Sequence, residues 1–100
     1  MVTKFQSKVY KLLSQIPKGK VTTYKLVADK LNSKAYRAVG SACNKNPYTP
    51  KIPCHRVVNS DGRVGGFAKG TGKKIEMLKK EGIIIVNGKV MRLERSLFRF

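Results

Sequence analysis

The chain has 100 residues, enough for one domain with a modest core and too few for a catalytic domain beside an independent binding domain. Its 22 Lys and Arg against 5 Asp and Glu give a formal charge of +17, which points to a polyanion, nucleic acid first, as partner. No apolar run approaches the roughly 20 residues that span a bilayer, and two cysteines with one histidine cannot complete a structural zinc site without the scarce carboxylates.

The first residues mix polar and apolar side chains without the apolar stretch of a signal peptide. The expectation is a cytoplasmic protein, nucleoid-associated or nuclear, whose Cys43 and Cys54 stay reduced. A single domain over residues 1–100, without an N-terminal domain, is expected, since no internal repeat or low-complexity linker divides the sequence.

Phe5, Val9, Leu12, Leu13 and Ile16 recur at helical spacing, predicting an amphipathic helix over residues 3–15 that Pro17 and Gly19 end. A short extended piece at Val21 leads to Thr22 or Thr23 as N-cap of a second helix carrying Leu26, Val27 and Leu31. Asn32-Ser33 breaks that helix, and Ser33 is expected to cap a third over about 34–45, the outline of a helix-turn-helix. The third helix has two faces: Ala35, Ala38, Val39, Ala42 and Cys43 form a small apolar stripe, with Lys34, Arg37, Ser41, Asn44 and Lys45 opposite. Gly40 costs a helix about 1 kcal/mol relative to Ala, and its small size lets another surface approach the backbone.

Asn46-Pro47 ends the helix. Pro47, Pro50 and Pro53 predict a stiff, extended segment that holds Cys54 without a regular element. Val57-Val58, a turn over 59–62 and Arg63-Val64 predict a short hairpin. The glycine-rich stretch 65–72 lacks the Gly-Lys-Ser/Thr ending of a nucleotide-binding loop, so its glycines read as points where backbone N–H groups approach a ligand closely. A fourth helix over 72–81, with Ile75 and Leu78 inward, stops at Gly82. A hairpin over 83–93 turns at Asn87-Gly88, and residues 94–100 form a basic tail that either docks on the domain or contacts a partner.

The chemistry concentrates at Pro53-Cys54-His55-Arg56-Val57. Thiolate formation needs a nearby cation or base, and here a thiol adjoins the sole histidine and an arginine. Successive side chains of an extended chain point apart, so His55 is expected to take the thiol proton through a water. Glu81 falls at a helix C-terminus, where the macrodipole disfavours an anion by about 0.3–1 kcal/mol. Such an acid calls for a partner: His55, whose tautomer it would fix, or one of the many lysines.

Arg37-Ala38-Val39-Gly40, Asn46-Pro47, Pro53-Cys54-His55-Arg56-Val57-Val58, Gly62 and Val64-Gly65, in this order, resemble the C-terminal domain of the O6-alkylguanine-DNA alkyltransferases. Gly19-Lys20-Val21-Thr22-Thr23-Tyr24 extends the resemblance, which runs from about residue 5 to 82. It implies a mainly α domain with short β-hairpins, a winged-helix-like helix-turn-helix. It implies single-turnover repair, in which the alkyl group of O6-alkylguanine, and of O4-alkylthymine, passes irreversibly to Cys54.

The same resemblance implies the site. His55 is the base acting through water, Glu81 orients it, and Asn46 links the recognition helix to the active-site loop within this hydrogen-bond network. Tyr24 contacts the extruded guanine and gives a proton to N3. Arg37 fills the stack the base has left, as the helix with its small Ala38, Gly40, Ser41 and Ala42 lies in the minor groove. Lys34, Ser41, Asn44, Lys45 and Arg56 are expected on the DNA, and Val57, Gly65, Phe67, Ala68 and Lys69 around the base. Phe67-Ala68 departs from the Tyr-Ser pair common in the family. No metal or organic cofactor is implied, and the implied partner is double-stranded DNA bound by a monomer. Alkyltransferase-like proteins, which hold the damaged base without chemistry, share the pattern but carry Trp or another residue where Cys54 stands.

Overall fold

The computed structural model describes residues 2–48, 51–66 and 70–100. Helix α1, Lys4–Leu13, starts at a capping box: the Gln6 N–H donates to Thr3 Oγ1 and the Thr3 N–H to Gln6 Oε1, both at 3.0 Å. It buries Val9, Tyr10, Leu12 and Leu13, the face that the spacing predicted. Strand β1, Thr22–Thr23, runs into α2, Tyr24–Lys30, with Thr23 as N-cap accepting the Leu26 N–H at 3.1 Å.

Asn32 closes α2 with a left-handed φ of 53°, and the Asn32 and Ser33 N–H groups return to Asp29 and Ala28 carbonyls. This is a Schellman cap with Asn in the glycine position. Helix α3 spans Tyr36–Asn44, two residues shorter at its start than expected. Ser33 is not its cap, because its hydroxyl is taken by the Ala35 N–H two residues on, a local turn that competes with helix entry. Val39, Ala42 and Cys43 are buried as predicted, whereas Ala35 and Ala38 are exposed. The Tyr10 hydroxyl donates to the Ala42 carbonyl at 2.8 Å and ties α1 to α3.

Two expectations for the middle of the chain change. Cys54–Arg56 forms one 3-10 turn, closed by the Arg56 N–H on the Pro53 carbonyl. Val57–Val58, strand β2, pairs not with Arg63-Val64 but in parallel with β1, in the register Thr22↔Val57 and Thr23↔Val58. Both strands are wholly buried, and a hairpin partner would have left one face of them wet. The 59–62 turn does form, and Arg63 bridges Lys89 of the C-terminal hairpin instead.

Helix α4, Thr71–Lys80, ends in a second Schellman cap with Glu81 at the cap and Gly82 at φ 92°. Strands β3, Ile85–Val86, and β4, Lys89–Val90, flank an Asn87-Gly88 turn with both φ positive, as a type I′ turn requires. The tail docks. After α5, Leu93–Ser96, Leu97 bridges Val21 in parallel, the Phe98 N–H donates to the Val21 carbonyl, and Phe98 and Phe100 stack edge-on against the main core.

The core has two parts. One joins α1, α2 and α3 to Cys54 and Val57; the other joins Val21, Val58, Val64 and Leu78 to the Ile83, Ile85 and Val90 side chains. Three helices carrying a helix-turn-helix with a C-terminal hairpin wing make the expected fold class. No helix of the described residues is long and apolar enough to cross a membrane.

Candidate active site and DNA face

The 3-10 turn sets Cys54 and His55, each 2% exposed, about 120° apart around its axis rather than on opposite sides of a strand. Their side chains still diverge. His55 Nε2 lies 2.9 Å from Glu81 Oε2. The same carboxylate takes both ends of the Arg56 fork, Nε to Oε1 and Nη2 to Oε2, each at 2.8 Å, while Arg56 Nη1 donates to the Ile16 carbonyl at 2.7 Å. Burial alone would raise the Glu81 carboxyl, but the hydrogen bonds from Arg56 and His55 outweigh it and hold the pKa below the usual value. Here is the resolution of the misplaced acid: two partners offset the unfavourable helix end.

Burial lowers the His55 pKa, against the opposing pull of Glu81, with Arg56 and Lys74 adding to the depression. The ring is therefore neutral at pH 7, and an anionic Glu81 acceptor puts its proton on Nε2. That leaves Nδ1 with its lone pair, buried and without a hydrogen-bond partner among the described residues. A base of this form is ready to accept one proton.

Asn46, 6% exposed, does not join that pair. Its Nδ2 donates to the Ile52 carbonyl and its Oδ1 accepts the Tyr48 N–H, both at 2.9 Å, so it pins the loop that leads from α3 into the Cys54 turn. The expected place in the His55–Glu81 network is not what is seen: both of its hydrogen bonds run to backbone.

Lys74 is the residue that the sequence reading passed over. It is 1% exposed, and its Nζ donates to the Val57 carbonyl at 2.6 Å and the Gly66 carbonyl at 3.2 Å, lies 3.5 Å from the Tyr24 hydroxyl, and sits 5.7 Å from the Tyr24 ring centroid. Burial depresses its pKa to about 8, against the thiols of Cys43 and Cys54, which pull it upward. Lys74, Leu78 and Glu81 stand at i, i+4 and i+7, so the inward stripe of α4 was the available signal. Lysine is so commonly solvated that its place on that stripe carried no weight.

Tyr24 opens α2 at the end of β1, half-buried. Burial raises its pKa, followed by the nearby Cys43 and Cys54 thiols, so the phenol stays protonated. Burial likewise pushes the Cys43 thiol up to about 12, with Cys54 adding and Lys74 opposing.

Lys34, Arg37, Ser41, Asn44 and Lys45 are all exposed along one side of α3 and its flanks. A Cβ built on Gly40 would meet nothing within 4 Å, so packing does not demand glycine there. A cleft of about 360 Å³ runs from Arg37, Gly40 and Asn44 past Tyr24 to Gly65 and Gly66. Arg56 does not belong to the face. Its side chain is 15% exposed and spent on Glu81 and Ile16, so the expectation that it meets DNA is corrected. Val57 is wholly buried beside Cys54, offering its carbonyl to Lys74. Phe67, Ala68 and Lys69 lie outside the described residues.

A family profile described as "6-O-methylguanine DNA methyltransferase, DNA binding domain" matches residues 4–83. The chain is 49% identical over 80 residues to the methylated-DNA–protein-cysteine methyltransferase of Methanosarcina barkeri, covering 79% of this chain and 51% of that one. It thus spans about half the length of that curated relative. Among solved structures, Mycobacterium tuberculosis OGT in complex with DNA superposes with a TM-score of 0.78 at 38% identity, over 81% of this chain and 51% of that one. S. pombe Atl1, in complex with damaged DNA containing O6-carboxymethylguanine, superposes with a TM-score of 0.85 at 28% identity over 100% of both chains. With a profile match over most of its length, the chain belongs to the 6-O-methylguanine DNA methyltransferase family and corresponds to the family's DNA-binding domain.

Proposed function

We propose that this chain repairs DNA by taking the alkyl group of O6-alkylguanine onto Cys54, once per molecule. The observation that carries this reading is the His55–Glu81 pair at 2.9 Å immediately beside a buried thiol. Neutral His55, with its proton held on Nε2 by Glu81, has Nδ1 free to receive the Cys54 proton through a water. The thiolate sulfur attacks the alkyl carbon, an S–C bond forms, and the C–O6 bond breaks. The electron pair passes into the guanine ring, and Tyr24, protonated because it is buried, gives its proton toward N3. Lys74, 3.5 Å from that hydroxyl, steadies the charge left on it. The product is a thioether, which has no hydrolytic exit, so the protein is consumed.

A thiol that is 2% exposed cannot reach a base stacked in a duplex. The nucleotide has to turn out, at a cost of a few kcal/mol, and the cleft from Arg37 to Gly65 opens beside Tyr24 to receive it. In this reading α3 enters the minor groove with Arg37 in the vacated stack, and Lys34, Ser41, Asn44 and Lys45 along the backbone. The molecule acts as a monomer.

The full-length likeness to Atl1 supports a second reading, a protein that binds and flips the damaged base without transfer. Cys54 weighs against it, since its thiol serves transfer and not holding. Intact-protein mass after incubation with duplex DNA carrying O6-methylguanine separates the two. Transfer adds one methyl group to the wild type and none to Cys54→Ala; tight binding with unchanged mass would establish the second reading instead.

A further inference from the structure

The C-terminal wing has one covered edge and one open edge. The Met91 N–H donates to the Ile84 carbonyl at 2.9 Å, so the next pair, Ile85 and Val90, turn their backbone polar groups away from each other. On the β4 side those groups are used: the Val90 N–H donates to the Gly62 carbonyl at 2.8 Å and the Val64 N–H to the Gly88 carbonyl at 3.0 Å. On the β3 side nothing plays that part. The Ile85 N–H and carbonyl have no hydrogen-bond partner among the described residues.

Strand β3 also lacks the devices that keep an edge from pairing, since Ile83-Ile84-Ile85-Val86 contains no charge and no proline. Ile83 and Ile85 enter the core, whereas Ile84 and Val86 are 65% and 49% exposed, and Met91, opposite Ile84, is 46% exposed. This apolar surface continues into a cleft of about 190 Å³ lined by Ile84, Met91, Arg92 and Arg95. Both arginines are exposed and make no ion pair among the described residues. Arg92 holds a left-handed φ of 52°, which few side chains other than glycine adopt.

We propose that the β3 edge receives an extended, acidic segment of another protein. The segment adds a strand beside Ile85, sets apolar side chains against Ile84 and Val86, and brings carboxylates to Arg92 and Arg95. Charge selects this occupant. Pairing of β3 with a second copy would set two sets of these arginines, on chains of +17 each, against one another. A phosphate backbone would gain nothing from the exposed Ile84, Val86 and Met91.

The probe is the peptide Glu-Glu-Val-Thr-Val-Thr-Glu-Glu. Its control, Glu-Glu-Val-Pro-Pro-Thr-Glu-Glu, keeps the charge but lacks two consecutive N–H groups, one of which must face the edge. Fluorescence anisotropy of the labelled peptides gives affinity, and amide chemical shifts of the protein give location. The shifts are expected to centre on Ile84, Ile85 and Val86, and the control to bind about tenfold more weakly. Ile84→Lys makes the protein more basic yet should weaken binding about fivefold by removing an apolar cross-strand contact; general attraction to a basic surface would tighten it. Arg92→Gly combined with Arg95→Gln, with glycine suited to the left-handed φ, should weaken it about tenfold. Absence of binding, equal binding of the proline control, tighter binding to Ile84→Lys, or shifts centred on α3 overturns the proposal. So does a dimer of the free protein that Ile84→Lys disperses, which assigns the edge to a second copy. A shallower salt dependence of duplex binding in the arginine double variant overturns it as well, by assigning Arg92 and Arg95 to DNA.

Discussion

His55 Nε2 and Glu81 Oε2 are 2.9 Å apart, although the two residues stand 26 positions apart in the chain. One carboxylate thereby serves two neighbours, fixing the imidazole tautomer and clamping Arg56. Glu81→Gln keeps the shape but removes the charge that holds the proton on Nε2. Methyl transfer measured in single-turnover mode is expected to slow about 100-fold or more, and unchanged rates would show that the pair is structural only.

Arg56 provides the complementary case. Arg56→Met leaves Glu81 with one partner near a helix end, and we expect a loss of about 2–4 kcal/mol in denaturant unfolding. Each phosphate neutralised contributes about 0.9 to the slope of log affinity against log salt. That slope should be unaltered in Arg56→Met. A slope reduced by one phosphate would return Arg56 to the DNA face.

The two depressed bases bracket the pH profile. Transfer needs neutral His55, whose folded pKa lies below the ordinary 6.5, so the acid limb falls below pH 6.5. Between those values the unfolded state binds more protons, so stability from His55 is present above pH 6.5 and is lost as pH falls through the folded pKa. Lys74, with a pKa of about 8, loses its charge above that pH, and the rate is expected to decline there. In Lys74→Met the alkaline limb should vanish from the single-turnover profile while the acid limb stays. Persistence of both limbs would remove Lys74 from the reaction.

Arg37 is exposed and makes its case only on a duplex. Arg37→Ala is expected to slow repair of duplex O6-methylguanine about tenfold or more, because nothing then offsets the cost of unstacking. Reaction with free O6-benzylguanine should change by less than about twofold, since no base has to be turned out. Equal losses on both substrates would count against insertion into the stack.

Much of this molecule is local and was therefore legible in the chain itself. Thr23 caps α2, Asn87-Gly88 turns the wing, and the Pro53-Cys54-His55 run sets a thiol beside the sole histidine. Each depends on neighbours within a few residues, where propensity and hydrogen-bond geometry act without tertiary help. What required the fold involves partners far apart. The choice of His55 over a lysine for Glu81, the withdrawal of Arg56 from the surface and the burial of Lys74 follow from α4 packing against the Cys54 turn. Docking of the tail on Val21 and the parallel β1–β2 ladder are likewise non-local. A charged side chain carries no mark of whether it will be solvated or enclosed. Its fate is decided by the desolvation cost and the partners that meet it inside, and only the assembled structure brings those together.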